Sequence, residues 1–198
     1  MTQTKKIALT GMMGAGKSSV IALLKQVGVA VLDCDEINRE LIRKGARGYE
    51  RIIESFGIDI LDAQGNLDTK KMSALIFSDP HQKECLEHIL HPMIQEEIIR
   101  RCEASEERIV VIEVPLLFEV HWESYFDEIW VVVCERETLL HRLETYRHIP
   151  KAEALRRLKH QISEEEKCKG ADVILHNDGD KEALRKQMIK ELERLWEE

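Results

Sequence analysis

Five short runs of apolar residues recur along the chain, at 7–10, 29–33, 109–114, 129–134 and 173–175. Within each, Val, Ile, Leu and Ala follow one another with little alternation, which is the pattern of strands covered on both faces in a parallel sheet. Between them the spacing turns helical. Residues 17–27 set Val20, Ile21, Leu23, Leu24 and Val27 at helical spacing. A longer helical stretch fills residues 37–107, broken by turns at Gly57 and at Asp62-Ala63-Gln64-Gly65-Asn66. Another, rich in Arg and Lys, covers 135–169 and is interrupted at His148-Ile149-Pro150. Asp180 offers an N-cap to a last helix with an apolar stripe of Leu184, Met188, Leu192 and Leu195. The expectation is one α/β domain over residues 1–198: a five-stranded parallel sheet flanked by helices, with a core of 1–36, 108–134 and 170–198. The 37–107 segment reads as a helical insertion and 135–169 as a lid.

In such a sheet, ligands gather at the carboxyl ends of the strands. Directly behind the first predicted strand and ahead of the first helix stands Gly11-Met12-Met13-Gly14-Ala15-Gly16-Lys17-Ser18-Ser19. Gly11, Gly16, Lys17 and Ser18 fill the pattern G-x-x-x-x-G-K-[ST], a P-loop whose backbone N–H groups curl around phosphate oxygens at a helix N-terminus. The loop 11–19 is therefore expected to bind ATP, with Lys17 reaching the β- and γ-phosphates and the Ser18 hydroxyl taken as a Mg2+ ligand. Glu113, at the end of the third strand, is placed as an acid for the same metal. Expected fold: the P-loop NTPase class.

Charge narrows the partners. With 29 Lys and Arg against 37 Asp and Glu the net charge is −8, so no overall basic field draws nucleic acid. Five widely spaced cysteines without a C-x-x-C pair suit reduced thiols and a cytoplasmic setting. Neither a signal peptide nor a membrane-length apolar run is visible, and no membrane partner is expected. Asp62-Ala63-Gln64-Gly65 spells the D-x-x-G of a GTPase, but no central strand precedes it and no N-K-x-D guanine reader exists. A small domain with a helical insertion and a cationic lid fits phosphoryl transfer to a small molecule.

Further segments carry a resemblance. Asp33-Cys34-Asp35 with Arg39, His91-Pro92-Met93-Ile94, Pro115-Leu116-Leu117-Phe118-Glu119, Gln161 with Glu165-Glu166-Lys167, and Ala171-Asp172-Val173-Ile174 with Asn177 and Gly179 are similar in order and spacing to the dephospho-coenzyme A kinases. The resemblance spans residues 5–180. It implies ATP as donor, dephospho-coenzyme A as acceptor, Mg2+ as cofactor and transfer to the ribose 3′-hydroxyl. Other readings are a different small-molecule or nucleotide kinase on this scaffold, or a nucleotide-gated binding protein without turnover. The chain is expected to act as a monomer or weak homo-oligomer.

Asp35 is the candidate base under that resemblance. An aspartate, with an ordinary pKa of about 3.9, is too acidic to strip a ribose hydroxyl beforehand, so it would orient the hydroxyl and accept its proton late. Asp33, on the same side of an extended chain, is expected to bind the acceptor hydroxyl or Mg2+. One of the pair is also the natural cap for a helix starting near Glu36. Acceptor contacts fall to Arg39, His91, Leu117 and Glu119, and the adenine-side turn to Asn177 and Gly179. Arg142 keeps the first arginine of the family's lid pattern, whereas Tyr146 stands at the second. Either Arg147 slides into that place, or Arg142 and Arg157 supply the charge. Thr69 stands where many relatives carry Arg.

Overall fold

The computed structural model describes residues 4–197. In chain order its elements are β1 (Lys5–Gly11), α1 (Lys17–Gln26), β2 (Ala30–Asp33), α2 (Cys34–Leu41), α3 (Arg47–Phe56), α4 (Thr69–Ser78) and α5 (Pro80–Glu103). There follow β3 (Ile109–Glu113), β4 (Glu128–Val133), α6 (Arg136–Arg147), α7 (Lys151–Leu158), α8 (Glu164–Lys169), β5 (Val173–His176) and α9 (Lys181–Glu197). The described residues form two compact units: those up to Leu32 together with those from Glu106 onward, and Asp33–Ser105.

The first unit is built on the sheet, an α/β arrangement with strand order β2-β3-β1-β4-β5 and parallel ladders joining β1 to β3 and β4, and β4 to β5. The chain runs to one side of β1 for β2 and β3 and to the other for β4 and β5. The carboxyl end of β1, where Gly11 sits, is thus a topological switch point, the place where such sheets bind ligands. Ile7, Leu9, Val111, Trp130 and Val132 are fully buried, and Leu23 and Leu24 of α1 and Leu184, Met188 and Leu192 of α9 pack against them. Burying each such side chain contributes about 1.5–3 kcal/mol.

The edge strands β2, partly buried along its whole length, and β5 depart from the expected double burial, and β4, buried throughout, departs only in where it starts. β4 begins one residue early, at Glu128, a charged residue that is buried because Arg194 donates to both of its oxygens at 2.9 Å and Trp130 Nε1 donates at 3.0 Å. Burial pushes that carboxyl up, but these partners and Lys5 outweigh it and hold it below its ordinary value. β5 is an edge strand: Val173 and Leu175 are buried while Ile174 and His176 face solvent.

The second unit is helical, and its caps are those that its sequence offers. Asp68 accepts from Lys70 N at 2.9 Å to start α4, and Asp79, followed by Pro80 at the first turn, accepts from His81 N at 2.9 Å to start α5. Asp62 accepts from the amides of Gln64 and Asn66, both at 2.9 Å, closing the turn before α4. Leu90, Ile94, Ile98 and Cys102 form the buried stripe of α5, which continues through Pro92. Arg101 of α5 pairs with Glu40 of α2, and Glu97 accepts from Arg100 Nε at 2.8 Å and Arg101 Nε at 2.7 Å.

Candidate active site

Between β1 and α1 the backbone takes a path that demands glycine. Gly11 has φ +145° and runs so close to β4 that a Cβ would overlap the Val132 carbonyl oxygen, and at Gly16, φ +101°, a Cβ would overlap the Asn177 side-chain amide. Inside the loop Ala15 N donates to Met12 O at 3.1 Å, and Ser19 N donates to Gly16 O at 2.9 Å. The N–H groups of Gly14, Gly16 and Ser18 have no protein acceptor among the described residues. The first turn of α1 carries no acidic side chain and no side-chain cap. Amides without a protein acceptor and an uncompensated helix dipole together make an anion cup. Lys17 Nζ donates to the carbonyls of Gly11 at 2.9 Å and Met12 at 3.4 Å, which folds the ammonium back over the loop.

Three side chains from distant parts of the same unit prop this cup. Met13 N donates to Gln161 Oε1 at 3.0 Å. The carbonyl of Ala15 accepts from Asn177 Nδ2 at 2.8 Å and from Arg142 Nη1 at 3.2 Å, and Arg142 Nη2 donates to Asn177 O at 2.8 Å. Asn177 is buried and its amide is committed to the loop, while Gly179 lies exposed in the turn after β5. Arg142 is likewise engaged with backbone, whereas Arg147, the last residue of α6, is exposed and has no ion pair among the described residues. Arg157 is tied to Glu153 at 2.9 Å. Leu117 is fully buried and gives the turn after β3 its shape, and Glu119 is bonded to Lys167 at 2.7 Å.

In the Asp33–Ser105 unit, Asp33 is the helix cap. Its Oδ1 accepts from Asp35 N at 2.8 Å and Glu36 N at 3.3 Å, so α2 starts at Cys34, earlier than the pattern suggests. Its Oδ2 lies 3.8 Å from Arg39, which is otherwise exposed. Asp35 occupies the first turn of α2 with an exposed side chain. His91 is half-buried on α5, and burial pulls its imidazole below the ordinary value.

No cluster of three His, Cys, Asp or Glu side chains in metal-holding range occurs among the described residues. Ser18, exposed at the start of α1, and Glu113, partly exposed at the end of β3, both offer oxygen. That donor set fits magnesium, which takes one or two protein oxygens beside substrate phosphates and water.

Gln161 and Lys167 are landmarks of the resemblance, yet nothing local to them signals their contacts. A glutamine in a polar helical stretch and a lysine in Glu-Glu-Lys both read as surface.

The family profile described as Dephospho-CoA kinase matches residues 5–183. The chain is 35% identical to a dephospho-CoA kinase of Enterococcus faecalis over 96% of each chain. Among solved structures, a Thermus thermophilus protein superposes with a TM-score of 0.86 at 32% identity over 98% of both chains. A dephospho-CoA kinase from Campylobacter jejuni gives 0.71 at 25% identity over 96% of both chains. With the match running nearly end to end, the chain belongs to the dephospho-CoA kinase family.

Proposed function

We propose that the protein transfers the γ-phosphoryl group of ATP to the 3′-hydroxyl of the dephospho-coenzyme A ribose, giving coenzyme A. The observation that carries this is the glycine-built cup at the head of α1, with amides of Gly14, Gly16 and Ser18 that have no protein acceptor among the described residues and Lys17 folded over the loop, in a chain matched over residues 5–183 by this family. Phosphoryl transfer proceeds through a loose transition state, so the protein's work is alignment and charge compensation. The loop amides and Lys17 hold the β- and γ-phosphates. Asp35 orients the attacking hydroxyl and accepts its proton as the new bond forms. Asp33 fixes the first turn of α2, and with it the backbone that carries Asp35. Ser18 and Glu113 would hold Mg2+, which when bound offsets charge on the phosphate oxygens.

Arg39 and His91 serve the acceptor in this reading, which makes residues 37–107 the acceptor-binding insertion. Residues 135–169 act as the lid, and Arg147 is its cation for the transferred phosphate. No disulfide joins Cys34, Cys85, Cys102, Cys134 or Cys168 among the described residues, which suits a reducing cytoplasm, and no helix among them is long and apolar enough to cross a membrane. The protein works as a monomer or weak homo-oligomer.

The deciding experiment incubates the protein with magnesium-ATP and, separately, dephospho-coenzyme A, nucleoside monophosphates and sugars, and follows ADP release. Turnover with dephospho-coenzyme A is expected. Preference for another acceptor, or binding of ATP with no turnover, would replace this reading by one of its rivals.

A further inference from the structure

Lys167 has no exposed surface, and its ammonium meets a single carboxylate, that of Glu119, at 2.7 Å from Oε1 and 3.0 Å from Oε2. The same nitrogen stands 5.5 Å from the centroid of the Phe118 ring, and the ring presses on the end of α8 so closely that Gly170 has no room for a Cβ. The reaction proposed above uses neither charge. Stability does not explain them well, because apolar residues of similar volume serve as well as a buried ion pair, or better. The explanation lies in what else the carboxylate holds. Oε1 of Glu119 also accepts the backbone N–H of Ile162 at 3.0 Å. Ile162 follows Gln161, whose own Oε1 accepts the Met13 amide of the phosphate loop at 3.0 Å.

We infer that Glu119, locked in place by Lys167, is a positioning residue for the phosphate loop, acting through the Ile162 backbone and the Gln161 side chain. Charge matters in this role. A carboxylate clamped on both oxygens by an ammonium cannot rotate away from the Ile162 amide, and hydrogen bonds to a charged acceptor are the stronger kind. The Ile162 anchor sets where Gln161 can reach. Gln161 then holds the front half of the loop by the Met13 amide, which leaves the amides of Gly14, Gly16 and Ser18 available to a ligand. The glutamate of the Pro-Leu-Leu-Phe-Glu segment thereby acts on the nucleotide side, not by touching the acceptor. The inference rests on the reading that this loop grips ATP.

Three variants test it: Gln161→Leu, the pair Glu119→Leu with Lys167→Met, which strands no charge, and all three changes together. Losing one loop-positioning hydrogen bond raises KM for ATP about five- to ten-fold, with KM for the acceptor unchanged. The first two variants are each expected to show that rise. The triple variant should stay within about two-fold of either, because both cuts break one relay. An unchanged KM for ATP in the Glu119/Lys167 pair, or separate effects that multiply in the triple variant, overturns the inference. If the pair does not fold, Glu119→Asp keeps the charge and draws it back from Ile162, so the same rise is expected and its absence is equally fatal. Hydrogen exchange at the Met13 amide, followed without nucleotide, should quicken in every variant. That measurement stands whether or not the parent protein phosphorylates dephospho-coenzyme A, so failure of the proposed reaction and failure of the relay are told apart.

Discussion

Arg142 and Arg147 share α6 but not their surroundings, and replacing each by alanine separates a loop prop from a phosphate contact. Arg142 donates to the carbonyls of Ala15 at 3.2 Å and Asn177 at 2.8 Å, both through a charged guanidinium. Such bonds contribute about 1.5–3 kcal/mol each where they are shielded, and partial exposure of the side chain brings the expected sum down to about 2–3 kcal/mol. For a chain of this size that loss lowers the melting temperature by roughly 4–12 °C. Arg142→Ala should also raise KM for ATP, since it removes one of the two hydrogen bonds that hold the Ala15 carbonyl. Arg147 is exposed and has no ion pair among the described residues, so Arg147→Ala should leave stability within about 0.5 kcal/mol. If its guanidinium meets the transferred phosphate, kcat falls about 10³-fold or more. Calorimetry and steady-state kinetics on the two variants give four numbers. Unchanged kcat in Arg147→Ala, with kcat lost and melting temperature preserved in Arg142→Ala, would reverse the assignment. Harmless replacement of both would remove these two arginines from the proposed mechanism.

Asp35→Asn should lower kcat about 10²- to 10⁴-fold with little change in melting temperature, whereas Asp33→Ala should also cost about 1 kcal/mol of stability through the lost α2 cap. Near-normal turnover of Asp35→Asn would dismiss it as the base. The hydrogen bond from Arg100, with that from Arg101, lowers the Glu97 carboxyl to about 2. Its stabilising effect is therefore complete above the ordinary value of 4.5 and fades as pH falls toward 2. Urea titrations of Glu97→Gln should show a deficit on the order of 1 kcal/mol at neutral pH that closes over that acid range, and a deficit independent of pH would contradict the assigned cause. Burial pushes the Cys134 thiol up to about 11. A thiol reagent at pH 8 should modify exposed Cys85 well before Cys134, as peptide mapping would reveal, and early labelling of Cys134 would contradict its burial.

The sheet is legible in the sequence because burial on both faces leaves a contiguous apolar run, which a reader finds without knowing the partner strands. β1 and β3 are of this kind. Glu128 shows the limit of the rule: a charge ended the apparent run, yet the strand includes it because Arg194, far along the chain, neutralises it at 2.9 Å. β5 shows the opposite limit, since an apolar Ile174 on an edge strand looks the same in sequence as a buried one. Pro92 lies inside α5, where it removes only one backbone donor. The stripe of Leu90, Ile94, Ile98 and Cys102 carries the helix across it.

The phosphate loop is legible for a different reason: its chemistry is local. Glycines at positive φ, a lysine and a serine at fixed offsets announce themselves within a few residues. Its supports do not, because Gln161, Arg142 and Asn177 reach Met13 and Ala15 across sequence separations of 148, 127 and 162 residues. Each support donates to or accepts from backbone, so the residue at the receiving end leaves no trace in the sequence. The same logic separates the two aspartates. Side-chain spacing alone makes Asp33 and Asp35 equivalent, and only the direction of the backbone amides distinguishes them. The chain turns into α2 immediately after Asp33, whose Oδ1 faces the amides of Asp35 and Glu36, and the carboxylate of Asp35 is carried outward on the first helical turn. The different surroundings of Asp33 and Asp35 therefore follow from where the helix begins, and that boundary is set by a cap whose two acceptor contacts no pattern of polar and apolar residues records.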